Sequence, residues 1–292
     1  MVDAGLRLKM MVDNGEELSD ETIHQLLSSS ELVQSLTKDF SKKSLFPIWR
    51  ILALAEIPFA GRLKYTQDLL DYIEKTYATA EGFSITGNNK DLLPCYNAML
   101  VEAFSKLGLA ELPQVKNAVD WILNYQVFGR NEQTSWQGDG IKKYGGCIKS
   151  TPCYIGIAKT VKALVYYSSA STTKDVRVLD TINKGTEYLF QHKLYQRLSN
   201  KEPINKHILD FAYPQSYLLN LVELLDIAFM TKHMKDPRVK EAVEYIKSKK
   251  TKDDGWKINY IYKADGFVSF DKRGKRGEWV GYLFEKYLSQ AE

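Results

Sequence analysis

The chain predicts an all-α fold, specifically an α/α toroid of sequential helical hairpins with an inner and an outer ring of helices. Two observations predict it. A proline-led segment recurs four times, at Pro47-Ile48-Trp49, Pro94-Cys95-Tyr96, Pro152-Cys153-Tyr154 and Pro214-Gln215-Ser216-Tyr217. Each opens one amphipathic run and is followed by a second that carries an aromatic, at Tyr72, Trp121, Tyr188 or Tyr245. A repeat of roughly 50–60 residues with two helices in it marks hairpins that must bury their apolar faces against one another. Hairpins of that kind cannot be divided into independent cores, so residues 1–292 are expected to form one domain.

The first 45 residues lack the repeat and predict an irregular hairpin over 21–27 and 32–40. From residue 46 to 290 the hairpins follow in order. Their second helices show the pattern most cleanly. Thr66, Leu69, Leu70 and Ile73 fall at i, i+3, i+4 and i+7, as do Val115, Ala118, Val119 and Ile122. Ile182, Gly185, Thr186 and Leu189 follow, and then Val239, Ala242, Val243 and Ile246. One apolar stripe with charges opposite makes these the outer helices.

The proline-led helices are apolar over more of their circumference, which makes them the inner ring. Tyr96, Met99, Leu100, Ala103, Phe104 and Leu107 form one face; Tyr154, Ile157, Ala158, Val161 and Val165 form its counterpart. Tyr217, Leu221, Leu224, Leu225 and Ala228 repeat it. Proline suits the first turn, where its missing N–H has no intrahelical partner to lose. Alternating apolar residues predict a small β-hairpin near 257–270, and a helix over Glu278–Leu288 would close the ring against the N-terminal hairpin.

Composition sets the bounds of function. With 44% hydrophobic and 26% charged residues the chain is ordinary globular protein. Its 40 basic and 36 acidic residues leave +4, too small and too scattered an excess to argue for nucleic acid. The basic stretch Lys272-Arg273-Gly274-Lys275-Arg276 reads as a solvated turn. Asp3, Arg7 and Lys9 stand where a signal peptide would be apolar, and no run approaches the roughly 20 apolar residues of a membrane span. Three cysteines, an odd number, fit reduced thiols and a cytoplasmic location.

The repeat units resemble the squalene cyclase and prenyltransferase-type α/α toroids. The resemblance rests on an outer helix with small residues, an aromatic and aliphatics, followed by a Gly-x-Trp-like turn. It is carried by Glu241-Ala242-Val243-Glu244-Tyr245-Ile246 with Asp254-Gly255-Trp256, and by Asn117-Ala118-Val119-Asp120-Trp121-Ile122 with Gln126 and Trp136. It covers roughly residues 45–290 and implies a terpenoid-synthase-like toroid with a central cavity. The Asp-x-Asp-Asp acid of class II cyclases is absent, and so is the Asp-x-Cys zinc pair of protein prenyltransferase β subunits. Gly145-Gly146-Cys147 and Cys153 match small stand-alone toroids of bacteria and archaea with no settled activity.

Candidate site residues follow from the inner-helix N-termini, whose free N–H groups and positive dipole ends would converge on a cavity mouth. The expected lining is Trp49, Asp91, Cys95, Tyr96, Cys147, Lys149, Cys153, Tyr154, Tyr213 and Tyr217. His207 and Asp210 form the one close His/Asp pair beside an inner-helix start, and are the candidate catalytic residues. The alternative is that Asp210 caps a helix beginning near 211–214. Cys95, Cys147 and Cys153 lack zinc-knuckle spacing and read as small buried residues, so neither metal nor cofactor is expected.

The expected function is that of a terpenoid cyclase- or prenyltransferase-like toroid that binds an isoprenoid-like or other apolar small molecule, with or without transforming it. One alternative is a non-catalytic toroid holding a peptide or protein partner. Another is a polysaccharide lyase or hydrolase, for which Asp91 and Asp210 would be the carboxylates.

Overall fold

The computed structural model describes residues 2–43, 45–129, 131–144 and 153–291, with only the backbone of 140 and 141. Among them the regular structure is helical, α-helices with short 3-10 turns at Ala60–Arg62 and Asn89–Asp91, with isolated bridges and no strand. Helix α1 spans Ala4–Asp13, α2 Asp20–Ser29, α3 Glu31–Thr37, α4 Phe46–Leu54, α5 Lys64–Tyr77, α6 Pro94–Lys106 and α7 Pro113–Tyr125. Then come α8 at Gly140–Tyr144, α9 at Tyr154–Ala170, α10 at Val176–Gln191, α11 at Leu221–Met230, α12 at Lys240–Ser248 and α13 at Glu278–Leu288. None of these helices is long and apolar enough to cross a membrane.

Local chemistry accounts for many of the helix starts. Pro47, Pro94 and Pro113 sit in the first turns of α4, α6 and α7, where a missing N–H costs nothing. Asp3, Ser19, Ser30 and Asp175 accept backbone N–H groups at the starts of α1, α2, α3 and α10. The periodic stripes bury as their spacing dictates: Thr66, Leu69, Leu70 and Ile73 on α5; Val115, Ala118, Val119 and Ile122 on α7; Ala242, Val243 and Ile246 on α12. Gly185 of α10 lies so close to α9 that a Cβ would collide with Val161.

Helix α6 is buried round nearly its whole circumference, and α9 round most of it. Contacts run from α4 to α6, from α6 to α9, from α9 to α11 and from α11 to α13. Helices α5, α7 and α10 pack outside α4, α6 and α9. The last helix reaches the first: Tyr282 Oη donates to Asp13 Oδ2 at 2.8 Å, and Lys286 pairs with Asp13 at 2.8 Å. Helix α1 packs on α3, and α3 on α4.

Two expectations are corrected. Helix α11 begins at Leu221 rather than Pro214. Asn220 caps it by accepting the Glu223 N–H at 3.2 Å. The segment before it is held open by side chains: Lys159 Nζ donates to Ser216 O at 2.8 Å, Asn220 Nδ2 donates to Ala212 O at 3.0 Å, and Asn259 Oδ1 accepts from Phe211 N at 2.7 Å. Asp210 therefore caps no helix. The β-hairpin near 257–270 is absent as well. Lys257 bridges instead to Arg276, and the alternating aromatics plug the bundle: Tyr262 packs on Trp49 with ring centroids 5.3 Å apart, and Phe270 on Trp279 at 4.8 Å.

Helix α13 is capped from a distance. The buried Asp271 carboxylate accepts the backbone N–H groups of Glu278, Trp279 and Val280 at 2.8, 3.1 and 3.0 Å. Asp271→Ala leaves these donors buried and is expected to cost about 1–2 kcal/mol, read as a lowered urea midpoint. An unchanged midpoint would show that water replaces the carboxylate without loss.

Candidate functional site

Three of the most buried helices each carry a pair of charged residues at i, i+3 or i, i+4, a spacing that puts both on one helix face. The pairs are Glu102 and Lys106 on α6, Lys159 and Lys162 on α9, and Glu223 and Asp226 on α11. Glu56 joins them from the turn after α4. All seven converge on one volume. Lys106 Nζ lies 2.9 Å from Glu56 and 2.6 Å from Glu102. Lys162 Nζ is surrounded by four carboxylates, with Glu102 at 3.1 Å, Asp226 at 3.8 Å, and Glu56 and Glu223 at 4.0 Å. Lys159 pairs with Glu223 and also donates to Gln215 Oε1 at 3.1 Å.

Tyrosine hydroxyls complete the cluster. Tyr213 donates to Glu56 Oε2 at 2.8 Å, while Tyr166 and Tyr287 each donate to Asp226 at 3.0 Å. Burial pushes all three phenols well above their ordinary value, so they remain neutral donors. Burial also pushes the Glu102 carboxyl up, but Lys106 and Lys162 outweigh it and hold the group at about 2. For Lys106 and Lys162 burial lowers the value and the neighbouring carboxylates, Glu102 foremost, raise it above the usual lysine range. Burial lowers Lys159, with the Glu223 carboxylate opposing it.

A cavity of about 200 Å³ opens against this cluster, lined by Glu56, Lys162, Glu223 and Asp226 together with Tyr166, Tyr213 and Tyr287. Lys9, Asp13 and Lys286, all half-buried, line its outer edge, and Phe229, Met230 and Leu283 give it an apolar patch. Glu223 is only 5% exposed, yet its Oε2 is buried with no hydrogen-bond partner among the described residues. Native structures rarely leave such an acceptor without a reason.

Of the residues expected at the site, the structure brings Tyr213 to this cavity. Trp49, Tyr96 and Tyr217 form a separate aromatic group, with Trp49 and Tyr96 centroids 6.0 Å apart and Tyr96 stacked on Tyr217 at 6.1 Å. Tyr154 is buried and donates to Leu194 O. Asp91 accepts from Thr86 Oγ1 at 2.8 Å and meets Lys143 at 3.4 Å. Cys147 and Lys149 lie outside the described residues. His207 Nδ1 is 2.7 Å from Asp210 Oδ2, and Asn259 Nδ2 donates to Asp210 Oδ1 at 2.9 Å; the pair sits away from the cavity lining and braces the loop before α11.

Cys153 stands at the start of α9, its Sγ accepting from Gly156 N, and Cys95 is buried beside Pro94. Among the described residues no three His, Cys, Asp or Glu side chains are grouped to hold a metal ion. Burial, with Cys153 nearby, pushes the Cys95 thiol up to about 12. Iodoacetamide at pH 8 is therefore expected to leave Cys95 unmodified in the folded protein and to label it after denaturation, as read by peptide mass mapping. Labelling at the denatured rate would contradict this.

The cavity residues carry a sequence signal of a different kind from the one followed above: charged pairs at helical spacing inside runs that are apolar all round. A charge on such a helix has no wet face to occupy, so it must be paired in the interior. No protein-family model, curated protein or solved structure matches the chain.

Proposed function

We propose that this chain is a small-molecule-binding α-helical protein whose ligand is polar and enters the cavity between α1, α9, α11 and α13. The observation that carries the proposal is a cavity wall that combines Glu56, Lys162, Glu223 and Asp226 with the hydroxyl-bearing Tyr166, Tyr213 and Tyr287. Charged and hydroxyl groups converging on a cavity wall suit a ligand that can hydrogen-bond to them. An isoprenoid would displace water from the charged lining without offering it a hydrogen bond, which favours a polar ligand over the apolar one suggested by the aromatic content. At about 200 Å³ the cavity is smaller than the roughly 300–1,000 Å³ that hold drug-sized molecules, so the ligand is of metabolite size.

The closing succession of contacts from α4 through α13 and back to α1 supports the terpenoid cyclase-like toroid as the architectural reading. The buried thiol of Cys95 supports a cytoplasmic setting. The test is a melting-temperature screen against small amines, amino acids, sugars, dicarboxylates and farnesol. A ligand at 100 times its dissociation constant adds about 2.7 kcal/mol of stability, which a melting curve resolves. Stabilisation by a polar compound is the expected result; stabilisation by farnesol alone would overturn the proposal.

A further inference from the structure

The fourth proline-led segment departs from the first two, and it does so on the cavity wall. Pro47 and Pro94 stand in the first turns of α4 and α6. Pro214 opens the same pattern, with Tyr217, Leu221, Leu224, Leu225 and Ala228 at helical spacing, yet α11 begins only at Leu221. Residues 214–220 form no helical turn, although all but Tyr217 and Leu218 are buried. Ala212, Tyr213, Gln215 and Asn220 line the cavity.

Three hydrogen bonds that a longer α11 would make have substitutes in this structure. In a helix begun at Pro214, Ser216 O would accept from Asn220 N, Leu221 N would donate to Tyr217 O, and Glu223 N to Leu219 O. Instead Lys159 Nζ donates to Ser216 O at 2.8 Å, Leu221 N donates to Ile208 O at 2.9 Å, and Glu223 N donates to the Asn220 side chain at 3.2 Å. These backbone groups are satisfied in either arrangement, which is the condition for two packings of one segment to lie close in free energy.

We propose that residues 214–220 are a two-state wall of the cavity, latched in the non-helical arrangement by Lys159 and Asn220 and winding onto the start of α11 when the latch is released. Lys159 gives up only Ser216 O and Gln215 Oε1 on release and keeps its pairing with Glu223. A helix rises about 1.5 Å per residue against about 3.3 Å in extended chain, so winding shortens the segment and draws Gln215 off the wall. A ligand held by Gln215 or Asn220 binds the latched state alone and shifts the balance toward it.

Backbone NMR of the full chain tests the latch with no ligand present, so its failure leaves the small-molecule reading standing. Asn220→Ala removes the cap and the bond to Ala212 O without touching a charge, while Lys159→Met cuts the bond to Ser216 O. In each folded variant the Cα chemical shifts of residues 215–219 are expected to move from non-helical to helical values. Asn220→Ala decides the matter if Lys159→Met does not fold. Shifts at 215–219 that keep their native, non-helical values in the folded variants would overturn the proposal.

Discussion

Lys162→Met is expected to destabilise the fold by about 3–5 kcal/mol, the usual cost of removing one partner from a buried ionic cluster. The substitution keeps the volume and apolar stem but strands four carboxylates that now lie 3.1 to 4.0 Å from one ammonium group. Repulsion among Glu56, Glu102, Glu223 and Asp226 then goes unopposed at their centre. For a chain of this size the loss corresponds to a melting temperature lower by roughly 5–8 °C. Adding Glu102→Leu to the same chain should recover part of the loss, because it removes the carboxylate nearest the lost ammonium; the two changes are then non-additive in a double-mutant cycle. A loss below about 1 kcal/mol, or strict additivity, would mean that the four carboxylates do not depend on Lys162.

The second large effect is in acid. Glu102 is held at about 2 against an ordinary 4.5, since the pull of Lys106 and Lys162 exceeds the upward push of burial; Glu56 is lowered by the same two lysines. A carboxyl group whose folded value is depressed contributes stability that is complete above the unfolded value and is lost as pH falls through the folded one. The window is therefore pH 4.5 down to about 2, and the Glu102 share is on the order of 3 kcal/mol. Urea midpoints measured across that window should fall steeply in the native chain and less steeply in Glu102→Gln. A flat midpoint between pH 5 and 2.5, or the same slope in the variant, would contradict the assignment. Lys106 and Lys162 have raised values and so do not weaken the cluster until pH rises above the unfolded 10.5.

Residues with a single environment made themselves legible in the sequence. Val115, Ala118, Val119 and Ile122 bury one stripe of α7, and Pro94 opens α6, because periodicity and proline chemistry act locally. Where partners lie far apart in the chain, local pattern loses its hold. Residues 214–217 look like a helix start, yet Lys159, more than fifty residues earlier, takes the Ser216 carbonyl and the Gln215 amide oxygen and keeps the backbone open. Tyr262 and Phe270 alternate like strand residues but are plugs for Trp49 and Trp279. The charged cavity escaped the sequence reading for a related reason. Helix N-termini draw attention through their dipoles, whereas Glu56 and Glu102 lie beyond or near the C-terminal ends of α4 and α6. Their role depends on lysines brought in by α9, and Tyr213 reaches the cavity only because its hydroxyl bonds Glu56.

Native mass spectrometry of the purified chain, followed by denaturation and identification of whatever is released, tests the central claim most directly. The account predicts a single small polar adduct at one per chain, lost in Glu223→Gln and retained in Asp210→Asn, whose side chain lies outside the cavity. A bare chain that stays bare when incubated with millimolar polar metabolites, or an adduct indifferent to Glu223, would contradict it.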